Sequence, residues 1–362
     1  MKAVALALLS AFLASGVLAP EAAAAVEATL EFPGASWADI PPDTLSNACK
    51  AGLASVRHDL ESLSTTSLIA VYRGRVLMGH GPVEAPIYVA SERKSILAIL
   101  FGKYVASGAI DLDRTIADIG IDEPDGLLPV ERGARLRDLI SARSGVYHPA
   151  SNPGDNTAFA PPRGSVKPGT YFLYNNWDFN AAGGAFELLT KQSIYTAFAE
   201  DLAKPLQLQD FDATIHRLDG DASRSRYLAY PFSMSARDMA RIGHLMLAHG
   251  RWRDRQVVPR DWMTQLVRPT TRSTEMRNAM SYGLGYGYMW WLLEEPKSSV
   301  LAGAYAAMGA WGQYLLVIPK RQMVIAHNVK VGEDPPYPPE VRWPRFLDVA
   351  RKLAQGPCLA AR

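Results

Sequence analysis

A serine hydroxyl is a weak nucleophile near neutral pH, and it attacks a carbonyl readily only when a neighbour accepts its proton. A lysine amine does that work once burial or nearby cations hold it uncharged. Ser91 and Lys94, within YVASERKSILAIL (88–100), are the only serine and lysine in the chain with exactly two residues between them, serine first. One helical turn is contact distance for two side chains. At a helix's first turn the serine N–H also lacks an intrahelical partner, and the positive helix end favours a developing oxyanion. Spacing by itself fits a surface serine beside a solvated lysine equally well.

A second proton carrier must hold the lysine's proton and deliver it to a leaving group. Tyr174 and Asn176, in YFLYNNWDFN just before the helical run AAGGAFELLTK, offer a phenol for that relay and an amide able to bond both the lysine and a substrate carbonyl. Alone, that tyrosine–asparagine pair reads as an aromatic loop packing a helix start.

The elements that must position these groups are legible as patterns. SLIAVY and VLMGHG flank Arg73-Gly74-Arg75, and QYLLVI and MVIAHNV flank Pro319-Lys320, so each pair predicts a β-hairpin. Helices are expected over 45–63 and 345–354. Ile96, Leu97, Leu100, Phe101, Tyr104 and Val105 recur at helical spacing after Ser91, and Gly108 supplies the stop. Strands at both ends and helices between them predict a mixed α and β fold: one antiparallel sheet built from the two chain ends, flanked by terminal helices, with an inserted, mostly helical lobe. The expected division is 26–90 plus 281–362 for the sheet lobe and 91–280 for the helical lobe, with a cleft between them. A loop over 145–170, dense in proline and glycine, is long enough to form a wall or lid of that cleft.

Composition narrows the partners. With 38 basic and 36 acidic residues in 362, the chain offers no electrostatic case for nucleic acid, so a small-molecule substrate is expected. Residues 1–25, with one lysine, an apolar stretch and an alanine-rich end, read as a signal peptide, which predicts export to the periplasm or the medium and no membrane span after cleavage. In such a compartment the only two cysteines, Cys49 and Cys358, are expected to pair as a disulfide. No nucleophile elbow, zinc-peptidase helix or P-loop motif occurs, and no cofactor is expected. Oligomeric state is open on these patterns. His327 on the last strand could face the cleft or stand as a cross-strand surface histidine, Tyr147 and His148 after a turn read as local packing, and His244 and His249, five apart, fit one helix face poorly and so do not read as a metal pair.

Ser91-x-x-Lys94, GAIDLD, LRDLISARSG, Tyr174-x-Asn176, AYPFSMSARDMARIGHLML, YGYMWW and GAWGQYLLVIP follow one another over about 65–330. In that order the chain resembles serine hydrolases related to class C β-lactamases, DD-peptidases and family VIII carboxylesterases. The resemblance implies a β-lactamase/transpeptidase-like fold and an acyl-enzyme mechanism: Ser91 attacks, Lys94 and Tyr174 share the proton, and Asn176 binds lysine and substrate. It also aligns Ala310-Trp311-Gly312 with the lysine-containing triplet of the lactamases. Gly312 then permits close backbone approach, Trp311 lines the substrate site, and the Gln313 N–H completes an oxyanion hole with that of Ser91. Without the triplet's lysine, a substrate carboxylate loses its natural partner, so ester or amide hydrolysis is expected above efficient β-lactam turnover. The alternatives are a binding or sensor module that acylates without turnover, and an envelope protein in which the motifs no longer act.

Overall fold

The computed structural model describes residues 30–154, 157–276, 282–332 and 339–355. Its centre is a seven-stranded antiparallel sheet of β1 (Ser67–Tyr72), β2 (Arg75–His80), β3 (Leu284–Tyr286), β4 (Trp291–Leu293), β5 (Tyr305–Gly309), β6 (Gln313–Ile318) and β7 (Met323–Asn328). The strand order is β2-β1-β7-β6-β5-β4-β3, so the first hairpin pairs with the last strand and the chain ends close on each other. Both predicted hairpins are present. In the first, Arg73 and Gly74 both take positive φ, 51° and 87°, the backbone a tight two-residue hairpin turn requires. Gly74 admits no side chain, since a Cβ there would stand 1.8 Å from the Glu31 carbonyl oxygen.

β6 and β7 are buried along their whole length, which requires cover on both faces. One face carries helix α1 (Asn47–Glu61) and helix α5 (Trp343–Gln355), which pack on each other. Trp343 and Phe346 of α5 lie 5.1 and 4.7 Å from the Tyr314 ring. Their burial, with that of Val349, Ala350 and Leu353, follows the three- and four-residue spacing of a single helix face. The cover is not confined to the terminal helices. Helix α4 (Ala236–Leu247), from the middle of the chain, lies on the other face, where Gly243 lets its backbone approach Val324 and Leu315.

Helix α2 (Glu92–Ala106) begins one residue after Ser91 and touches β5 and β6. It is apolar nearly all round, as a central helix must be, except in its first turn, where Glu92, Arg93, Lys94 and Ser95 are all buried. Helix α3 (Asn176–Thr190) packs beside it. Gly285, in the run Gly283-x-Gly285-x-Gly287, lies in β3 itself. Among the described residues no helix is long and apolar enough to cross a membrane.

Cys49 is wholly buried and disulfide-bonded. Cys358 and residues 1–25, where a signal peptide is expected, lie outside the described residues.

Candidate active site

Local chain geometry sets the first turn of α2. Ala90 takes a positive φ of 48°, strained for a residue with a side chain, and turns the chain so that Ser91 caps the helix. Ser91 stays half-buried while Lys94 is 1% exposed. The Lys94 amine lies 2.9 Å from Ser91 Oγ, 2.6 Å from the Tyr174 hydroxyl and 2.7 Å from Asn176 Oδ1. Four residues from two distant segments thus meet around one nitrogen.

Tyr174 and Asn176 reach it because of the residue between them. Asn175 caps α3, its side chain accepting from the Asp178 N–H at 2.9 Å, which leaves Asn176 in the first turn facing Lys94. Tyr174 is fixed by aromatic packing, stacked on Trp291 at 5.5 Å and edged by Phe179 at 4.9 Å. Burial pushes its phenol up to about 12, against the pull of a Ser91 hydrogen bond and the Arg93 charge. It therefore keeps its proton at neutral pH and can hand protons on only by exchange between neighbours.

Three of the expected binding groups, Asn176, Gln313 and Gly312, are held by other parts of the protein. Asn176 does hold the lysine through Oδ1, while one hydrogen of its Nδ2 is donated to the Pro153 carbonyl of the 145–170 loop at 2.7 Å and the residue is 2% exposed. Gln313 was expected to supply the second oxyanion donor; it is 0% exposed, and its side chain is bonded to both backbone groups of Val329. Its N–H cannot reach a substrate in the cleft. Gly312 is displaced from the cleft for the same reason: a Cβ there would meet Val341, and its carbonyl accepts from His327 Nδ1 at 2.7 Å.

The cause is the hairpin. Ala310–Gly312 form a one-turn link between β5 and β6, so the chain passes Ser91 at the end of β5 and has left it by the start of β6. Gly309 makes the close approach: a Cβ there would stand 2.4 Å from the Val89 carbonyl oxygen and 3.2 Å from Ala90 Cβ. The next residue, Ala310, is exposed, and its N–H opens the turn with no partner among the described residues. The Ser91 N–H is likewise without a partner there. Both glycines of GAWG are tight, and only the fold tells which one faces the serine.

Trp311 is half-buried at a positive φ of 64° and its ring lies 6.5 Å from that of Tyr88. Tyr88, 42% exposed and three residues before Ser91, was not singled out by any sequence pattern. His327 is buried, bonded through one nitrogen to Gly312 and through the other to Thr65 Oγ1 at 2.9 Å. It props the turn and does not enter the cleft. His148 is likewise buried, paired with Asp125 and the Pro149 carbonyl. Among the described residues no group of histidine, cysteine and carboxylate side chains could hold a metal ion.

Comparisons with known proteins bear on the fold and the family. No curated protein sequence matches the chain. Among solved structures, EstCE1, a hydrolase with promiscuous acyltransferase activity, superposes with a TM-score of 0.63 at 14% identity over 85% of this chain and 99% of that one. A penicillin-binding protein homologue from Caulobacter crescentus gives 0.61 at 15% identity over 86% and 99%. A family VIII carboxylesterase gives 0.60 at 15% identity, covering 91% of this chain and 100% of the other. At such identities the likeness is one of fold. The sequence profile of the Beta-lactamase family matches residues 23–344, and the chain therefore belongs to that family, whose members here share a penicillin-binding-protein-like serine hydrolase fold.

Proposed function

We propose that this protein is an exported serine hydrolase that cleaves an ester, amide or peptide-like bond through an acyl-Ser91 intermediate. The observation that carries the reading is the convergence of Ser91, Tyr174 and Asn176 on the Lys94 amine. Ser91 Oγ forms a bond to the substrate carbonyl carbon while its proton passes to the uncharged Lys94 amine. Tyr174, within hydrogen-bond reach of that amine, relays the proton to the leaving group as the carbonyl–heteroatom bond breaks. The N–H groups of Ser91 and Ala310 receive the oxyanion. Water then attacks the acyl carbon, giving its proton back through the same pair, and Ser91 leaves with a proton restored. Asn176 orients the amine.

The ester and amide preference rests on what faces the cleft. Trp311 and Tyr88 offer aromatic surface at the entrance, and Ala310-Trp311-Gly312 carries no cation for a substrate carboxylate. Export rests on the leader-like residues 1–25, and the disulfide at Cys49 agrees with an oxidising compartment. The test is a turnover panel on purified protein: short-chain aryl esters, a linear amide, an acyl-D-alanyl-D-alanine peptide and a chromogenic cephalosporin. Aryl esters are expected to rank first and to be lost in Ser91→Ala. A cephalosporin ranking first would overturn the preference, and an acyl adduct that forms but never decays would replace the hydrolase by a non-turnover binder.

A further inference from the structure

Lys94 can accept a proton only while it carries none, and the residue beside it bears on that state. Arg93 is 2% exposed. Its Nη2 donates to Asn180 Oδ1 at 2.9 Å, its guanidinium lies 4.3 Å from the centre of the Tyr230 ring, and its Nη1 has no partner among the described residues. Both partners are neutral, and no carboxylate pairs with Arg93 among the described residues. A guanidinium does not deprotonate in proteins, so this first turn holds a fixed, uncompensated positive charge away from water.

We propose that Arg93 acts through Lys94 as a positioning residue, its charge keeping the neighbouring amine uncharged and so able to take the Ser91 proton. The inference rests on the hydrolase reading above. The Arg93 charge reaches Tyr174, whose hydroxyl bonds the amine, so a second cation in this low-dielectric patch is disfavoured, and the proton that yields is the amine's. The surrounding elements supply little to offset this. From the α3 side the amine meets Tyr174 and Asn176, while Asp178 is turned to Ser144 and burial holds its carboxyl well above the usual range. From α2 itself, the buried Glu92 carboxyl is likewise held toward its neutral form. Tyr286 and Trp291 close β3 and β4, Tyr230 and Tyr195 close the Arg93 side, and Tyr88 lies at the entrance. The carboxylates Glu187 and Asp219 sit beyond Tyr195. Opposing Arg93, the Tyr174 and Phe179 ring centres lie 4.3 and 4.7 Å from the amine and favour its charged form.

The experiment follows the rate at which a fluorophosphonate labels Ser91 between pH 5 and 10. In that reaction the serine oxygen bonds to phosphorus, fluoride leaves, and the serine proton goes to the amine. In Arg93→Met the acid limb of the profile is expected to move up by on the order of one pH unit, and Arg93→Lys to restore it. Asn180→Asp keeps Arg93 and adds a carboxylate against it, so it should move the limb in the same direction even if Arg93→Met fails to fold. Limbs that coincide with wild type in Arg93→Met, or in Asn180→Asp where only that variant folds, overturn the role of Arg93 while leaving the hydrolase intact. A wild-type protein that takes no label at Ser91 overturns the hydrolase reading itself.

Discussion

Two clusters of buried polar groups touch the start of α3, one through Trp177 and the other through Asn176 and Asn180, and they are built on opposite rules. Around Glu123 every group is satisfied: its carboxylate accepts from Trp177 Nε1 at 2.7 Å, from the Ser225 hydroxyl and from the Arg226 N–H at 2.9 Å. That cluster ties the 122–127 turn and the 219–229 segment to α3. In the first turn of α2, both Glu92 oxygens and Arg93 Nη1 have no partner among the described residues, and the turn opens on the strained Ala90. A buried polar group left unpaired costs about 1–3 kcal/mol. The satisfied cluster serves stability, and the unsatisfied one spends stability to shape the protonation of Lys94.

The contrast can be broken most forcefully at Glu123. Glu123→Ala leaves the buried Trp177 and Ser225 donors unpaired and frees the Arg226 N–H, and is expected to lower unfolding free energy by about 3 kcal/mol, read by chemical denaturation, with turnover per folded molecule unchanged. A variant of wild-type stability would mean that the cluster is not structural. Acid offers the next largest effect. Burial holds both His244 and His327 down to about 4, so each stays neutral in the fold but gains a proton on unfolding below its usual value near 6.5. Stability is therefore full above pH 6.5 and falls as pH drops toward 4, by up to roughly 3 kcal/mol per histidine. A denaturation midpoint that is flat between pH 7 and 4.5 would contradict those burials.

Glu92 should behave in the opposite sense. Its carboxyl is raised by burial, so the fold keeps a proton that the unfolded chain loses above about pH 4.5, and its contribution declines as pH rises. Glu92→Met, which removes both the orphaned oxygens and the titration, is expected to stabilise the protein by about 1–3 kcal/mol at pH 8 and by less at pH 5. A variant destabilised at pH 8 would mean that Glu92 has a partner in solution. The smallest effect belongs to the entrance: Tyr88→Ala should raise KM for an aryl ester several-fold, leaving kcat and the KM of a short alkyl ester nearly unchanged. Equal changes for both esters would remove the aromatic wall from the account.

Much of this was legible in the chain because it depends on local pattern. The two hairpins follow from apolar runs broken at Arg73-Gly74 and Pro319-Lys320, and α2 from its 3.6-residue apolar recurrence. Ser91, Lys94, Tyr174 and Asn176 were legible as a set only in the order of their motifs. What escaped depends on which way a residue faces after folding. GAWG holds two glycines three apart, and sequence cannot tell that Gly309 meets Val89 while Gly312 meets Val341. The bond between Asn176 and Pro153 spans a loop whose path no periodicity encodes. Arg93 reads as a solvated charge because arginine is rarely buried without a carboxylate.

The central claim is that Lys94, held uncharged in this buried turn, is the base for Ser91. Its most direct test is the rate of fluorophosphonate labelling at Ser91 in Lys94→Ala against wild type at pH 8, with circular dichroism to establish that both are folded. The account predicts a rate lower by on the order of a thousandfold or more in a variant of unchanged secondary structure. Labelling of folded Lys94→Ala at nearly the wild-type rate would contradict it.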